Sequence, residues 1–137
     1  MENKRLLARR SFSEGGAGRK DVRILEEIIN IEFMEIKILD VELERFIYFL
    51  EKQTIAKVVR TIELLEMFGN ELGMPHSKKI DSGLFELRVR GAQEVRIIYT
   101  FHKRVAVLLV GFIKKAEKIP RREIERARLK LVTIDFV

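Results

Sequence analysis

Along residues 34–39 the chain alternates, with Ile36 and Ile38 on one side and Glu35 and Lys37 on the other. That period of two predicts a half-buried strand. The period then lengthens. Leu43, Phe46, Ile47 and Leu50 recur at helical spacing, with Asp40 placed to cap and Glu42 and Glu44 in the first turn, where they complement the helix dipole. This helix is expected to end near Gln53. Thr54 can cap a second, whose apolar positions are Ile55, Val58, Val59, Ile62, Leu65, Phe68 and Leu72. Gly73 suits its C-terminal cap, and Pro75 forbids continuation. The two helices are expected to form a hairpin on one face of a sheet.

From residue 78 the period returns to two. Phe85, Leu87 and Val89 alternate with Glu86, Arg88 and Arg90; after a turn at 91–93, Val95, Ile97, Tyr99 and Phe101 alternate with Arg96, Ile98 and Thr100. A second turn is expected at His102 and Lys103. Residues 105–113 are a near-continuous apolar run, as expected of a strand covered on both faces. A last helix is expected from Pro120 to about residue 131. Residues 1–33 fit none of this: 9–20 have neither period, and 21–33 suit a short helix. They read as an N-terminal extension, either ahead of a start at Met34 or packed on the domain as a helix. Residues 34–131 read as the domain, and 132–137 as an apolar tail.

A turn centred on Ala92 sets the hairpin register. It pairs Val89 with Val95 and Leu87 with Ile97, which matches the core faces. The same register opposes Arg88 to Arg96 and Arg90 to Glu94. Opposed like charges on a sheet cost up to about 1 kcal/mol, and a bound polyanion removes the conflict. Arginine's planar fork suits phosphate. The alternative is a solvated lattice in which Glu86 and Glu94 neutralise the arginines. Lys114 and Lys115 leave the apolar strand and can reach the rim of the same face.

Composition narrows the class. A chain of 137 residues, 47% hydrophobic and 35% charged, suits one globular domain. No apolar run nears the roughly 18 residues of a membrane span, and the start lacks a signal peptide's apolar core. With no cysteine, the expectation is a cytoplasmic protein without membrane contact, disulfides or thiolate chemistry. Residues 86–130 hold thirteen Lys and Arg against five Glu, more net charge than the +6 of the whole chain. That asymmetry favours a nucleic acid or an acidic protein as partner. There is no phosphate-binding glycine loop. His76 and His102 lack ligand spacing, so no metal or other cofactor is expected. Ser77 and Ser82 lack a partner arrangement that would make either a nucleophile. His102 reads as a turn residue and Tyr99 as core. Aromatic residues, at 8%, form no stacking platform.

The segment 83–102, Gly-Leu-Phe-Glu-Leu-Arg-Val-Arg-Gly-Ala-Gln-Glu-Val-Arg-Ile-Ile-Tyr-Thr-Phe-His, leads to 107–120, Val-Leu-Leu-Val-Gly-Phe-Ile-Lys-Lys-Ala-Glu-Lys-Ile-Pro, and then to Glu123-Ile124-Glu125-Arg126-Ala127. Together these resemble the phage-derived HigB-like branch of the RelE/ParE toxin superfamily, over about residues 34–130. The resemblance implies a RelE-like α+β domain: a two-helix hairpin on a curved antiparallel sheet, with a C-terminal helix. It implies the toxin of a type II toxin–antitoxin system, paired with a helix-turn-helix antitoxin. It further implies an endoribonuclease that cuts mRNA on the ribosome without a metal and so inhibits translation. By motif position the catalytic candidates are Arg88, Arg96, Lys114 and Lys115. Arg90, Lys118, Arg121 and Arg122 would bind RNA. The family commonly adds a Tyr or His near the C-terminal helix as acid or base; this chain has neither after His102. The rival readings on the same fold are a ParE-like inhibitor of DNA gyrase and a catalytically inactive partner-binding module.

Overall fold

The computed structural model describes residues 33–134. The expectations for residues 1–32, and for the end of the tail, lie outside them. Strand β1 (Glu35–Ile38) is followed by helices α1 (Val41–Tyr48) and α2 (Lys52–Phe68) and a 3-10 turn (Gly69–Glu71). Strands β2 (Ser77–Asp81), β3 (Leu84–Val89), β4 (Val95–His102) and β5 (Val105–Ile113) come next, and helix α3 (Arg121–Ile134) closes the described chain. The strands form one sheet in the order β1-β5-β4-β3-β2. Neighbours run antiparallel except β1, which lies parallel to β5 with Glu35 opposite Val105.

Sequence alternation becomes two cores, one on each face of the sheet. Leu87, Val89, Val95, Ile97, Tyr99, Ala106 and Leu108 meet Leu43, Leu50, Val58 and Leu65 of the helix hairpin. On the other face Leu84, Ile98, Val107, Leu109, Val110 and Phe112 meet Ala127 and Ile134 of α3. A bulge gives β5 an extra residue where Ile98 pairs with Val110 and Tyr99 with Leu108. The α1 helix can lie close on β5 because position 111 has no side chain. A Cβ built on Gly111 would stand 2.5 Å from the Phe46 ring and 2.9 Å from Leu43.

Asp40 caps α1 as its sequence predicts, accepting from the Leu43 amide at 3.0 Å. The later helix ends need correction. α1 stops at Tyr48 rather than near Gln53, and the break turns Leu50 into the core. Glu51, not Thr54, is the N-cap of α2; it offers no side-chain cap, and its own amide donates to Gln93 Oε1 at 3.0 Å, from the turn between β3 and β4. Thr54 is buried within the helix. α2 ends at Gly69, whose φ of +53° supplies the left-handed cap, so the role expected of Gly73 falls four residues earlier. The second hairpin turn also shifts by one residue: His102 ends β4, and Lys103 and Arg104 turn at positive φ.

α3 is bound to the sheet by its basic residues. Lys130 Nζ lies 2.8 Å from Asp40 Oδ2 and donates to the Leu109 carbonyl at 3.0 Å. Arg128 reaches Asp81 at 3.0 Å and the Ser82 carbonyl at 2.8 Å, and Arg126 pairs with Glu42 and Glu123. Much of the positive charge counted in this helix is therefore spent within the fold.

Candidate nucleic-acid interface

The hairpin register is the one the alternation requires: Val89 opposite Val95, Leu87 opposite Ile97, and Arg88 opposite Arg96. The ladder stops at Val89 and Val95, so Arg90 has no cross-strand partner in that register. The two arginines do not form an open pair. Arg96 is only 2% exposed. Its Nη1 lies 3.2 Å from Glu94 Oε2 and donates to the Val95 carbonyl at 3.0 Å; its Nε is 3.9 Å from Glu86 Oε2. Glu86, also buried, stands 3.7 Å from Arg88 Nε through its other oxygen. The carboxylates thus interleave with the arginines, Glu86 in the interior and Glu94 at its half-exposed margin, rather than in a fully solvated lattice. Glu86 Oε2 and the Nε atoms of both arginines are buried without a hydrogen-bond partner among the described residues.

Arg88 is the arginine that emerges. Its side chain is 12% exposed and its Nη1 lies 3.3 Å from Met74 Sδ. It lines a cleft of about 220 Å3 where β2 stops and leaves the end of β3 facing α2. Lys57, Arg60, Thr61 and Leu64 form one wall, at helical spacing on α2; Pro75, His76, Arg88, Val89 and Arg90 form the other. The two strand-side residues are coupled, since the Arg88 amide donates to the His76 carbonyl at 2.8 Å. Lys57 Nζ donates to the Arg90 carbonyl at 3.4 Å. Every ionisable residue lining the cleft is basic or a histidine.

The other candidates do not line this cleft. The Lys114 amide donates to the Glu94 carbonyl at 2.7 Å, which continues the β4–β5 ladder and sets a half-buried Lys114 beside Glu94. Lys115 and Lys118 are exposed on the segment leading into α3, and Arg121 and Arg122 are exposed in its first turn, where Arg121 lies 3.7 Å from Glu125. The fold therefore gathers Arg88 and Arg90 in one concavity and keeps Arg96 inside, while Lys114 leaves β5 at the sheet end where Val95 pairs with both Val89 and Ile113. Sequence reasoning missed Lys57, Arg60 and His76. The signal was available in α2, where 57, 60, 61 and 64 share one stripe, but only the apolar stripe was followed. Tyr99 is core as expected, its hydroxyl 2.6 Å from Ser77 Oγ, and burial pushes its phenol up from the ordinary value. Among the described residues no helix is long and apolar enough to cross a membrane.

Comparison with known proteins adds two findings. Residues 45–131 match the family described as "Phage derived protein Gp49-like (DUF891)". The chain is also 38% identical over 75 residues to "Putative toxin HigB3" of Mycobacterium tuberculosis (strain ATCC 25618 / H37Rv), a match that spans 51% of this chain and 65% of that protein.

Proposed function

The chain belongs to the Gp49-like family of phage-derived proteins, and on that premise we propose that it is the toxin of a toxin–antitoxin pair and acts by cutting mRNA on the ribosome. The resemblance to HigB3 supports the toxin reading. The observation that carries the nuclease reading is the cleft, which brings Arg88, Arg90, Lys57 and Arg60 around one histidine with no carboxylate in its lining.

The reaction is attack of a ribose 2′-OH on the adjacent phosphorus. The 2′-O–P bond forms, the P–O5′ bond breaks, and the products are a 2′,3′-cyclic phosphate and a free 5′-OH. The need for a 2′-OH selects RNA over DNA. Arg88 grips the scissile phosphate with its fork and stabilises the charge that develops on it. His76 takes the 2′-OH proton or returns one to the leaving oxygen, since imidazole is the side chain suited to both near neutral pH. Arg96 acts from within, with Glu86 as the link that aims Arg88. Lys114 and Lys115 are the alternative proton carriers. Together with Lys118, Arg121 and Arg122 they otherwise hold the nucleic-acid backbone. A helix-turn-helix antitoxin is the partner this reading calls for.

The test is expression of the chain without an antitoxin, with mRNA ends mapped in cells and on translating ribosomes. Cuts should appear before any DNA-damage response, whereas the reverse order would mark a gyrase poison. Arg88→Ala should lower cleavage by about 10²–10³-fold, the range for loss of one group that stabilises developing charge. His76→Gln should flatten the pH profile. Equal cleavage by Arg88→Ala would remove the cleft from the chemistry.

A further inference from the structure

We infer that the α2 side of this cleft is a binding site for a single nucleotide unit, a ring seated on an apolar floor with its phosphate held at a cationic rim. The inference rests on the RNA-cleaving reading for its biological setting, but its physical basis is separate. Elsewhere on the described surface some basic side chains have found acids: Arg121, Arg126, Arg128 and Lys130 sit in ion pairs. Arg60 and Arg90 have none among the described residues, and Lys57 makes only its contact with the Arg90 carbonyl. Three cations thus converge on one concavity that holds no acid to neutralise them. Such crowding is unfavourable unless an anion joins it.

The floor specifies more than charge. Leu64, Pro75 and Val89 lie beneath the rim, and Val89 is 2% exposed, hence rigidly packed. An apolar floor with a few fixed polar groups is the general form of a small-molecule site. At about 220 Å3 the cleft is smaller than the roughly 300–1,000 Å3 that encloses a drug-sized ligand. One ring fits inside and the attached phosphate stays at the mouth. The forks of Arg60 and Arg90 and the point charge of Lys57 suit a phosphate's several oxygens better than the two of a single carboxylate.

Binding of the four nucleoside 5′-monophosphates to the folded chain, followed by calorimetry and by amide NMR shifts, tests this without cleavage. At least one should bind about tenfold tighter than inorganic phosphate or its own nucleoside, with shifts at residues 57–64 and 88–90. Arg60→Gln and Lys57→Gln, both at exposed positions on α2, should each weaken it about tenfold. A non-cleavable 2′-deoxy trinucleotide separates a strand-bound unit from a free nucleotide: it should bind more tightly and shift the same residues. Phosphate binding equal to nucleotide binding would overturn the ring site. So would a glutamate-rich peptide that displaces the nucleotide at equal charge, because the cleft would then suit an acidic protein segment. Nucleotide binding without mRNA cutting would remove the nuclease reading and keep the site; mRNA cutting by the parent chain with no nucleotide-induced shifts at residues 57–64 and 88–90 would do the reverse.

Discussion

Glu86→Ala should be among the most damaging single substitutions in the sheet, although it deletes no apolar surface. The Glu86 carboxylate stands 3.7 Å from Arg88 Nε and 3.9 Å from Arg96 Nε. At an effective dielectric near 20, each such pair interacts by about 4 kcal/mol. Against that gross attraction stands the cost of stripping water from three ions, several kcal/mol each. The triad as a whole therefore contributes little. Deleting Glu86 alone is different, because two opposed guanidinium groups remain, and Arg96, at 2% exposure, keeps only Glu94 as a carboxylate partner. The expected loss is about 3–5 kcal/mol, the range for breaking a buried ion pair from one side. For a domain of this size the melting temperature should fall by at least about 12 °C. Urea unfolding followed by circular dichroism and by intrinsic tyrosine fluorescence is the assay, with the slope against urea unchanged if the native state stays compact. Adding salt should restore little, since buried charges are weakly screened. The double variant Glu86→Leu with Arg96→Met should recover much of the loss, because it removes both charges that cannot reach water. A Glu86→Ala variant within about 1 kcal/mol of the parent would refute the reasoning, since arginines solvated that well would not need the carboxylate.

Four further outcomes follow from the packing and the titrations. Gly111→Ala should cost about 1–3 kcal/mol by forcing α1 off β5, read by urea unfolding; a neutral result would mean that Phe46 moves aside freely. Burial pushes the Asp40 carboxyl up, but Lys130 and the Leu43 amide outweigh it and hold the group below its ordinary value. A lowered folded pKa stabilises above the unfolded value and is lost as the pH falls through the folded one. Stability measured from pH 6 down to 2.5 should therefore separate parent from Asp40→Asn above about pH 4 and bring them together below it. Tyr99→Phe should cost about 0.5–1.5 kcal/mol by leaving the buried Ser77 hydroxyl unpartnered. In a Tyr48→Phe chain, which keeps Tyr99 as its one phenol, burial raises that phenol's pKa. Stability should fall as the pH climbs past the unfolded value, so phenolate absorbance should rise together with unfolding and not before it.

What could be read from the sequence follows the range of the forces involved. The hairpin register was legible because strand alternation has period two and the turn is short; a one-residue slip would have put Arg88 and Arg96 into the helix-side core. Asp40 was legible because its partner amide is three residues away. The start of α2 was not, because the group that meets the Glu51 amide is Gln93, 42 residues on. Its end was expected at Gly73, but Gly69, four residues earlier, is the glycine with positive φ. The expected site divided in the same way. Alternation placed the arginines on one face, but it carries no information about depth, so the burial of Arg96 under its two carboxylates was invisible. His76, dismissed for lack of a metal-ligand partner, acquires its neighbours from α2 only in three dimensions. The excess charge of the last helix was overvalued because Asp40, Glu42 and Asp81, which absorb it, lie 40 residues or more upstream.

The parallel pairing of β1 with β5 joins residue 35 to residue 105. During synthesis this edge strand must therefore wait for most of the polypeptide to leave the exit tunnel before it finds its place. So must part of the floor of the helix hairpin, since Ala106 and Leu108 of β5 belong to it. A growing chain carries unsheltered apolar surface until that late strand arrives. The order in which the chain emerges thus makes the last strand the step that closes the sheet.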